Sequence, residues 1–137
     1  MRSSRRVMLG LAALAIGGFV MGCQQQARGT LNRIHFDFDR SDVKADYQDE
    51  MQKNAAWAQS HPSASVVVEG HCDERGSTEY NIALGDRRAK SAKAYLQHLG
   101  VSGAKISTIS YGEERPLCTQ HDEGCWWKNR RAEFVAR

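Results

Sequence analysis

The sequence carries almost no excess of charge of one sign. It has 19 lysines and arginines against 16 acidic residues, a formal net charge of +3. Three of the basic residues, Arg2, Arg5 and Arg6, lie in the first six positions, so the rest of the chain carries 16 of each sign and is neutral. No basic stripe of the kind that follows a phosphate backbone is present, which argues against nucleic acid as the partner.

A long hydrophobic run is also missing. The longest apolar stretch covers residues 7–21 and falls short of the ~20 residues that a membrane-spanning helix needs. Because it follows the positively charged "MRSSRR", it fits the apolar region of an export signal. The segment ends in "VMGC", with a small residue directly before Cys23.

This "VMGC" resembles the lipobox of bacterial lipoproteins. The resemblance implies that residues 1–22 are a signal peptide, that Cys23 is lipidated as the new N-terminus, and that residues 23–30 form a short tether. Gln24, where an aspartate would retain the protein in the inner membrane, implies sorting to the outer membrane. An uncleaved signal anchor is the alternative, and "SRRVML" leaves both the general and the twin-arginine export routes open.

Residues 31–137 show alternating strand and helix patterns and no internal repeat. About 107 residues suffice for one modest core. The predicted strands are 33–39, 64–71, 105–112 and 129–137, and the predicted helices are 44–62 and 77–100. The order βαβαβ, an irregular loop and a last β strand predicts a two-layer α/β (α+β) sandwich. We expect a mixed four-stranded sheet with the helices on one face.

Two local patterns support these assignments. Ile34, Phe36 and Phe38 alternate with polar residues, which predicts a half-buried first strand with these three side chains on one face. Gly100 follows the second helix, where a C-terminal cap glycine belongs.

Charged residues cluster after the second predicted strand, in "GHCDERG". His71, Cys72 and Asp73 include the residue types of a cysteine hydrolase. However, adjacent side chains in an extended chain point to opposite sides, so His71 is badly placed to take a proton from Cys72. No glycine-rich oxyanion turn accompanies them. The pattern therefore argues against an enzyme.

The sequence also lacks a complete set of metal ligands. Cys118, His121 and Cys125 have a spacing that could bind zinc, but no fourth ligand is obvious. Export to an oxidising compartment favours a disulfide between Cys118 and Cys125. Pairings that involve Cys72, and a metal site in the loop, remain the alternatives.

Asp73 and Arg88 suggest a binding site. Asp73 follows a strand at the edge where ligands often bind α/β sheets, and Arg88 lies on the next helix. An arginine can grip a carboxylate with two parallel hydrogen bonds while an aspartate accepts an ammonium group, so the pair could hold a zwitterion. A simple Asp73–Arg88 salt bridge is equally compatible with the sequence.

The stretch "GHCDERGSTEYNIALGDRRA", residues 70–89, resembles the signature of the OmpA-like peptidoglycan-binding domain. Its DERG, EYN and LGDRRA segments are similar in particular to the peptidoglycan-associated lipoproteins of that family. "HFDFD" near the start of the domain, and "SYGEERP" and "KNRRAEF" near its end, match in the same order. The resemblance covers about residues 34–135.

This resemblance implies that Asp73 and Arg88 grip the D-centre of meso-diaminopimelate in the stem peptide of the cell wall. It also implies that further residues line the same pocket and that Arg130 braces it. The additional lining residues would be Asn81, Asp37, Gly70, His71 and Leu84. No metal and no cofactor is implied.

The resemblance also implies a place in the cell envelope. Such a lipoprotein links the outer membrane to peptidoglycan, faces the periplasm, and takes part in the Tol–Pal system during cell division, with TolB and at times TolA as partners. A passive wall anchor without Tol partners is the alternative. Two features depart from the family pattern: the tether is short, and Trp126 and Trp127, beside the loop cysteines, could belong to the core or to a contact surface.

Overall fold

The computed structural model describes residues 31–137, which form the predicted succession of strands and helices. The predicted signal peptide, the lipidated Cys23 and the tether lie outside these residues. The strands are β1 (Ile34–His35), β2 (Val66–His71), β3 (Ile106–Gly112) and β4 (Arg131–Ala136), and the helices are α1 (Gln48–Ser60), α2 (Thr78–His98) and α3 (Glu123–Asn129). Within residues 31–137, no helix is long and apolar enough to cross a membrane.

The four strands form one mixed sheet in the order β1-β4-β2-β3. β2 and β3 run parallel because α2 connects them as a crossover, and a crossover returns the chain to the same end of the sheet. β4 is inserted between β1 and β2 and runs antiparallel to both. The predicted mixed four-stranded sheet is confirmed.

The core lies between one face of the sheet and the helices α1 and α2. Alternate strand residues such as Val66, Val68 and Phe134 point to this face. The helices contribute mostly small side chains, which lets them lie close to the sheet. The helical residues of this core are Met51, Ala55, Ala58, Ala89, Ala92 and Leu96. Both helices therefore lie on one face, as predicted.

Two glycines set how closely α2 approaches β2. A Cβ atom added to Gly70 would lie 1.8 Å from the backbone oxygen of Gly85. Such a distance is impossible without moving the helix backbone, so the contact exists only because both positions lack a side chain. This close approach brings the first turns of α2 over the carboxyl end of β2.

The first strand is shorter than the alternating pattern predicted. Only Ile34 and His35 pair with β4, and the chain then leaves the sheet. Ile34 and Phe36 are buried as expected, but Phe38 is 55% exposed, so its predicted place on the buried face is wrong. The reason is that β1 ends at His35, so the strand period of two no longer applies at Phe38, which lies in a turn with Asp39.

Helix α3 was not predicted, because seven residues are too few to show a helical period. The Asp122 side chain caps it by accepting a hydrogen bond from the backbone N–H of Cys125 at 3.0 Å. A disulfide joins Cys118 to Cys125, the pairing that the sequence favoured. The bridge ties the long connection after β3 to the first turn of this helix.

The opposite face of the sheet carries a charged group of residues around His71. The imidazole is buried, and neither ring nitrogen has a hydrogen-bond partner in the described part of the chain. Its Nε2 lies 3.7 Å from a carboxylate oxygen of Glu69, and the ring stacks on Tyr111. Nearby Glu133 is held by Arg33 and Arg131 at 2.7 and 2.9 Å. Arg131 is thus a buried part of the sheet.

The Gly70–Gly85 contact generates a stability prediction. Gly70→Ala should lower the free energy of unfolding by about 3 kcal/mol, because the new methyl group meets backbone that cannot rotate away. Urea denaturation would measure the loss. Gly103→Ala is the matched control, since its Cβ would meet only the flexible amide end of Gln97. Equal stability of the two variants would contradict the assigned role of the contact.

Burial of His71 generates a prediction about pH. Burial, reinforced by the positive charge of Arg131, lowers the pKa of His71 to about 4. The unfolded chain, with an ordinary histidine pKa near ~6.5, therefore binds a proton that the folded chain rejects. Above about pH 6.5 His71 is neutral in both the folded and the unfolded chain and has no such effect. As the pH falls from about 6.5 to about 4, protonation of the unfolded chain lowers the free energy of unfolding, by about 3 kcal/mol at the end of this range.

His71→Gln should remove this part of the acid sensitivity. The expected result is a smaller difference between the free energies of unfolding at pH 7 and pH 4 in the variant than in the wild type. Chemical denaturation at both pH values measures it. An unchanged difference would show that other groups cause the acid sensitivity.

Candidate functional site

A pocket of about 250 Å³ opens at the carboxyl end of β2, beside the first turns of α2. The close approach of α2 to β2 places residues of the helix directly against the segment that follows the strand. The loop after β1 closes one side. The lining residues are Phe38, Asp39, Cys72, Asp73, Arg75, Gly76, Tyr80, Asn81, Leu84 and Arg88.

Arg88 is fully buried, with 0% of its surface exposed, and it is one of the residues that line the pocket. Its guanidinium donates to three backbone carbonyl oxygens: Nε to Arg40 at 2.8 Å, Nη1 to His71 at 2.9 Å and Nη2 to Asp37 at 3.1 Å. These bonds join α2 to the end of β2 and to the loop after β1. The direct Asp73–Arg88 salt bridge, which the sequence left open as an alternative, does not form among the described residues.

The hydrogen bonds of Arg88 leave its charge without a bonded carboxylate. Burial lowers the pKa of Arg88, although a guanidinium remains protonated in proteins. Three of its five N–H groups are engaged by the carbonyl oxygens, so two remain for another acceptor. A buried cation that contacts only neutral dipoles is a favourable partner for an anionic group of a ligand.

Asp73 is the buried acidic group of the pocket, and only 4% of its surface is exposed. Arg75 holds both carboxylate oxygens, through Nε at 3.1 Å and Nη2 at 2.8 Å, and its backbone N–H adds a bond of 3.0 Å. Arg130 donates to the same carboxylate at 3.4 Å. Burial opposes ionisation, but the hydrogen bonds from Arg75 outweigh it and keep the pKa of Asp73 below its ordinary value.

Two further predicted residues also line the pocket. Asn81 is buried, and its side-chain N–H donates to the backbone carbonyl of Asp73 at 3.3 Å. This bond connects the first turn of α2 to the aspartate. Leu84, one turn further along the helix, supplies an apolar part of the wall. The helix begins immediately before them, where the hydroxyl of Ser77 accepts a hydrogen bond from the N–H of Tyr80.

Three predicted residues contribute less directly than the sequence suggested. The carboxylate of Asp37 points away and pairs with Lys44 at 3.1 Å, so only its backbone carbonyl serves the site, through Arg88. His71 likewise contributes its carbonyl, while its ring belongs to the opposite face of the sheet. Gly70 lies under Gly85 and acts through close packing.

The sequence analysis missed several residues of the pocket. Asp39, whose side chain accepts a hydrogen bond from the Tyr80 hydroxyl, lines it where Asp37 was expected. Arg75 also lines the pocket and pairs with Asp73. Phe38, predicted to be buried, is part of the rim. The alternating pattern gives no local signal that the strand ends before Phe38 and Asp39, so the sequence could not have placed this loop at the pocket.

Glu74 joins the pocket to the disulfide loop. Its carboxylate accepts hydrogen bonds from His121 and from the indole N–H of Trp126 at 2.9 Å. Trp126 is therefore half-buried against the site, whereas Trp127 is 43% exposed. Neither tryptophan belongs to the main core.

Cys72 is buried and free, which excludes the alternative pairings of this residue with the loop cysteines. Its thiol donates to the backbone carbonyl of Asn81 at 3.2 Å. Burial raises the pKa of Cys72 to about 11, so the group is a protonated thiol at neutral pH and a poor nucleophile.

Comparison with known proteins agrees with this architecture. A sequence model of the OmpA family matches residues 35–130. The chain is 46% identical to the peptidoglycan-associated lipoprotein of Haemophilus influenzae over 121 residues, which are 88% of this chain and 77% of that protein. It is 48% identical to the protein of the same name from Mesorhizobium japonicum over 101 residues, which are 74% of this chain and 60% of that longer protein.

A solved structure is similar as well. The crystal structure of the peptidoglycan-associated lipoprotein from Burkholderia pseudomallei superposes with a TM-score of 0.75 at 41% identity, covering 77% of this chain and 89% of that one. The family match, residues 35–130, contains every residue that lines the pocket. The chain therefore belongs to the OmpA family and, within it, to the peptidoglycan-associated lipoproteins.

Proposed function

We propose that this protein binds peptidoglycan non-covalently, by gripping one zwitterionic centre of meso-diaminopimelate in the stem peptide. Asp73 takes the ammonium group and Arg88 takes the carboxylate. The observation that carries the proposal is the buried guanidinium of Arg88, which lies in the same pocket as a buried aspartate. Within residues 31–137 its three hydrogen bonds go to backbone carbonyl oxygens and no carboxylate is bonded to it, so at most two N–H groups remain for a ligand. The names of the relatives, which are peptidoglycan-associated lipoproteins, support peptidoglycan as the ligand.

The chemistry of the pocket suits a zwitterion better than a singly charged ligand. A carboxylate on Arg88 would form charge-assisted hydrogen bonds in a site that water barely reaches, where such bonds are strong. An ammonium group on Asp73 would meet an ionised carboxylate, because the pKa of Asp73 is lowered. A D-amino-acid centre carries both groups on one carbon atom, and Asn81 and Leu84 would contact its flanking atoms.

We further propose a role in the cell envelope. The protein is an outer-membrane lipoprotein anchored through Cys23, with the folded domain in the periplasm, and it serves the Tol–Pal system with TolB, and at times TolA, as partner. The lipobox resemblance and the named relatives support this role. The competing possibility, a passive wall anchor, predicts no complex with TolB in a pull-down from envelope extracts.

The binding site generates a prediction about affinity. Asp73→Asn should weaken binding to purified diaminopimelate-type sacculi by at least about 30-fold, because removing one member of a buried charge pair leaves the other charge uncompensated. Arg88→Lys, which keeps the charge but not the two-pronged geometry, should also weaken binding. Binding is measured by sedimentation of sacculi with increasing protein.

Asp86→Asn is the matched control for this experiment. Asp86 is a half-exposed residue of α2, pairs with Lys90 and lies outside the pocket. Its substitution should leave binding unchanged. Melting temperatures of all variants separate loss of affinity from loss of folding. Normal sacculus binding by a folded Asp73→Asn protein would refute the proposed site.

The lipid anchor generates a separate prediction. Cys23→Ser should release the protein from outer-membrane fractions or block its processing, because the acyl chains bury many methylene groups at ~0.8 kcal/mol each. Fractionation of membranes followed by immunoblotting measures this. Cofractionation of a normally cleaved Cys23→Ser protein with the outer membrane would show that the anchor lies elsewhere.

A further inference from the structure

We infer that Arg75 is a specificity-determining residue of this pocket: in the unliganded protein its guanidinium occupies the carboxylate of Asp73, and the ammonium group of a ligand must displace it. The inference deepens the proposed function and rests on it. It assigns to Arg75 a competition with the ligand rather than a contact to it.

The carboxylate of Asp73 has no free acceptor position in the structure. Arg75 donates three hydrogen bonds to it, two from the guanidinium and one from the backbone, and Arg130 donates a fourth. An ionised carboxylate offers about four acceptor positions. An ammonium group that approaches this buried carboxylate therefore has to replace one of the arginines.

Arg75 is the one that can leave. The side chain of Arg130 is 7% exposed, donates to the carbonyl of Phe36 at 2.9 Å, and binds both carboxylate oxygens of Glu123 at 3.2 and 2.6 Å. The side chain of Arg75 is 31% exposed and itself lines the pocket. Apart from its bonds to Asp73, no hydrogen bond holds this side chain within the described residues.

The structure also provides a place for the displaced guanidinium. In the unliganded protein the guanidinium of Arg75 already lies between two aromatic faces, 3.9 Å from the ring centre of Phe38 and 4.1 Å from that of Trp126. A carboxylate oxygen of Glu123 lies 3.8 Å from Arg75 Nη2. A small shift of the Arg75 guanidinium between the two rings would replace its contact to Asp73 by a contact to Glu123. The guanidinium would thus keep its cation–π contacts and an ionic partner. Trp126 and Glu123 both belong to α3, which the disulfide ties in place.

Competition by Arg75 would discriminate between ligands. A simple amine would have to displace Arg75 and would gain only the contact to Asp73. A zwitterion also places its carboxylate on Arg88, and the hydrogen bonds formed there offset the cost of displacing Arg75. Arg75 therefore excludes amines that lack an adjacent carboxylate, and it lowers the affinity for the zwitterion as a consequence.

Titration calorimetry of the full chain with free meso-diaminopimelate tests the inference. Arg75→Met removes the charge and retains the length of the side chain, and it should bind at least about fivefold more tightly than the wild type. Arg75→Lys, which keeps a charge but loses the two-pronged contact, should fall between them. Propylamine, which lacks a carboxylate, should bind measurably to Arg75→Met and not to the wild type.

Lys90→Met is the control for loss of one positive charge, since Lys90 is exposed on α2 and pairs with Asp86. It should bind like the wild type. The gain from Arg75→Met should vanish when Asp73→Asn is added, because it acts through that carboxylate. If the wild type binds meso-diaminopimelate while Arg75→Met and Arg75→Lys bind no more tightly, this inference alone is wrong. No binding by the wild type would overturn the proposed function with it.

Discussion

The buried guanidinium of Arg88 is the interaction on which the site depends. Burying an ion is costly, and here carbonyl oxygens rather than a carboxylate compensate for the lost water. Those carbonyl oxygens come from Asp37, His71 and Arg40, in two segments that are far apart in the chain. One side chain of α2 therefore fixes both the end of β2 and the loop after β1. The same bonds leave part of the guanidinium available to the pocket.

The position of Arg88 depends in turn on close packing of backbone. Without the contact between Gly70 and Gly85, α2 could not lie near enough to β2 for the guanidinium to reach the carbonyl of His71. Small alanine side chains further along α2 maintain the same separation over the core. The binding pocket is thus a consequence of how the helix packs on the sheet, and stability and recognition share the same contacts.

A second layer of charge surrounds Asp73. Arg75 and Arg130 both pair with it, and Glu123 at the start of α3 balances the charge of Arg130. The Cys118–Cys125 disulfide lies one step further out and ties this helix to the loop before it. A segment that looks peripheral in the sequence is therefore connected to the central aspartate through two ion pairs. The disulfide holds α3 in position, because this short helix contributes no residue to the main hydrophobic core.

A feature of the fold or of the site could be predicted from the sequence when it depends on residues that are close together in the chain. The strands, the two long helices and their order follow from periods of two and 3.6 residues and from cap residues, which are local. The mixed sheet followed from that order, because a strand–helix–strand unit makes its two strands parallel. The membership of Asp73, Arg88, Asn81 and Leu84 in one pocket came from a motif whose residues lie within one strand–helix connection.

Only the tertiary structure decided which groups these side chains contact. Asp73 pairs with Arg75 and Arg130 instead of Arg88, and Asp39 replaces Asp37 at the pocket. Spacing along a chain does not determine the direction of a side chain after a strand ends, and β1 ends at His35, so the alternation that placed Phe38 inside does not continue to it. The sequence by itself determined the order of the four strands and the two long helices, and it identified Asp73, Asn81, Leu84 and Arg88 as residues of the site. The pairing of charges was decided in three dimensions, because ion pairs between distant segments depend on distances that no local pattern encodes.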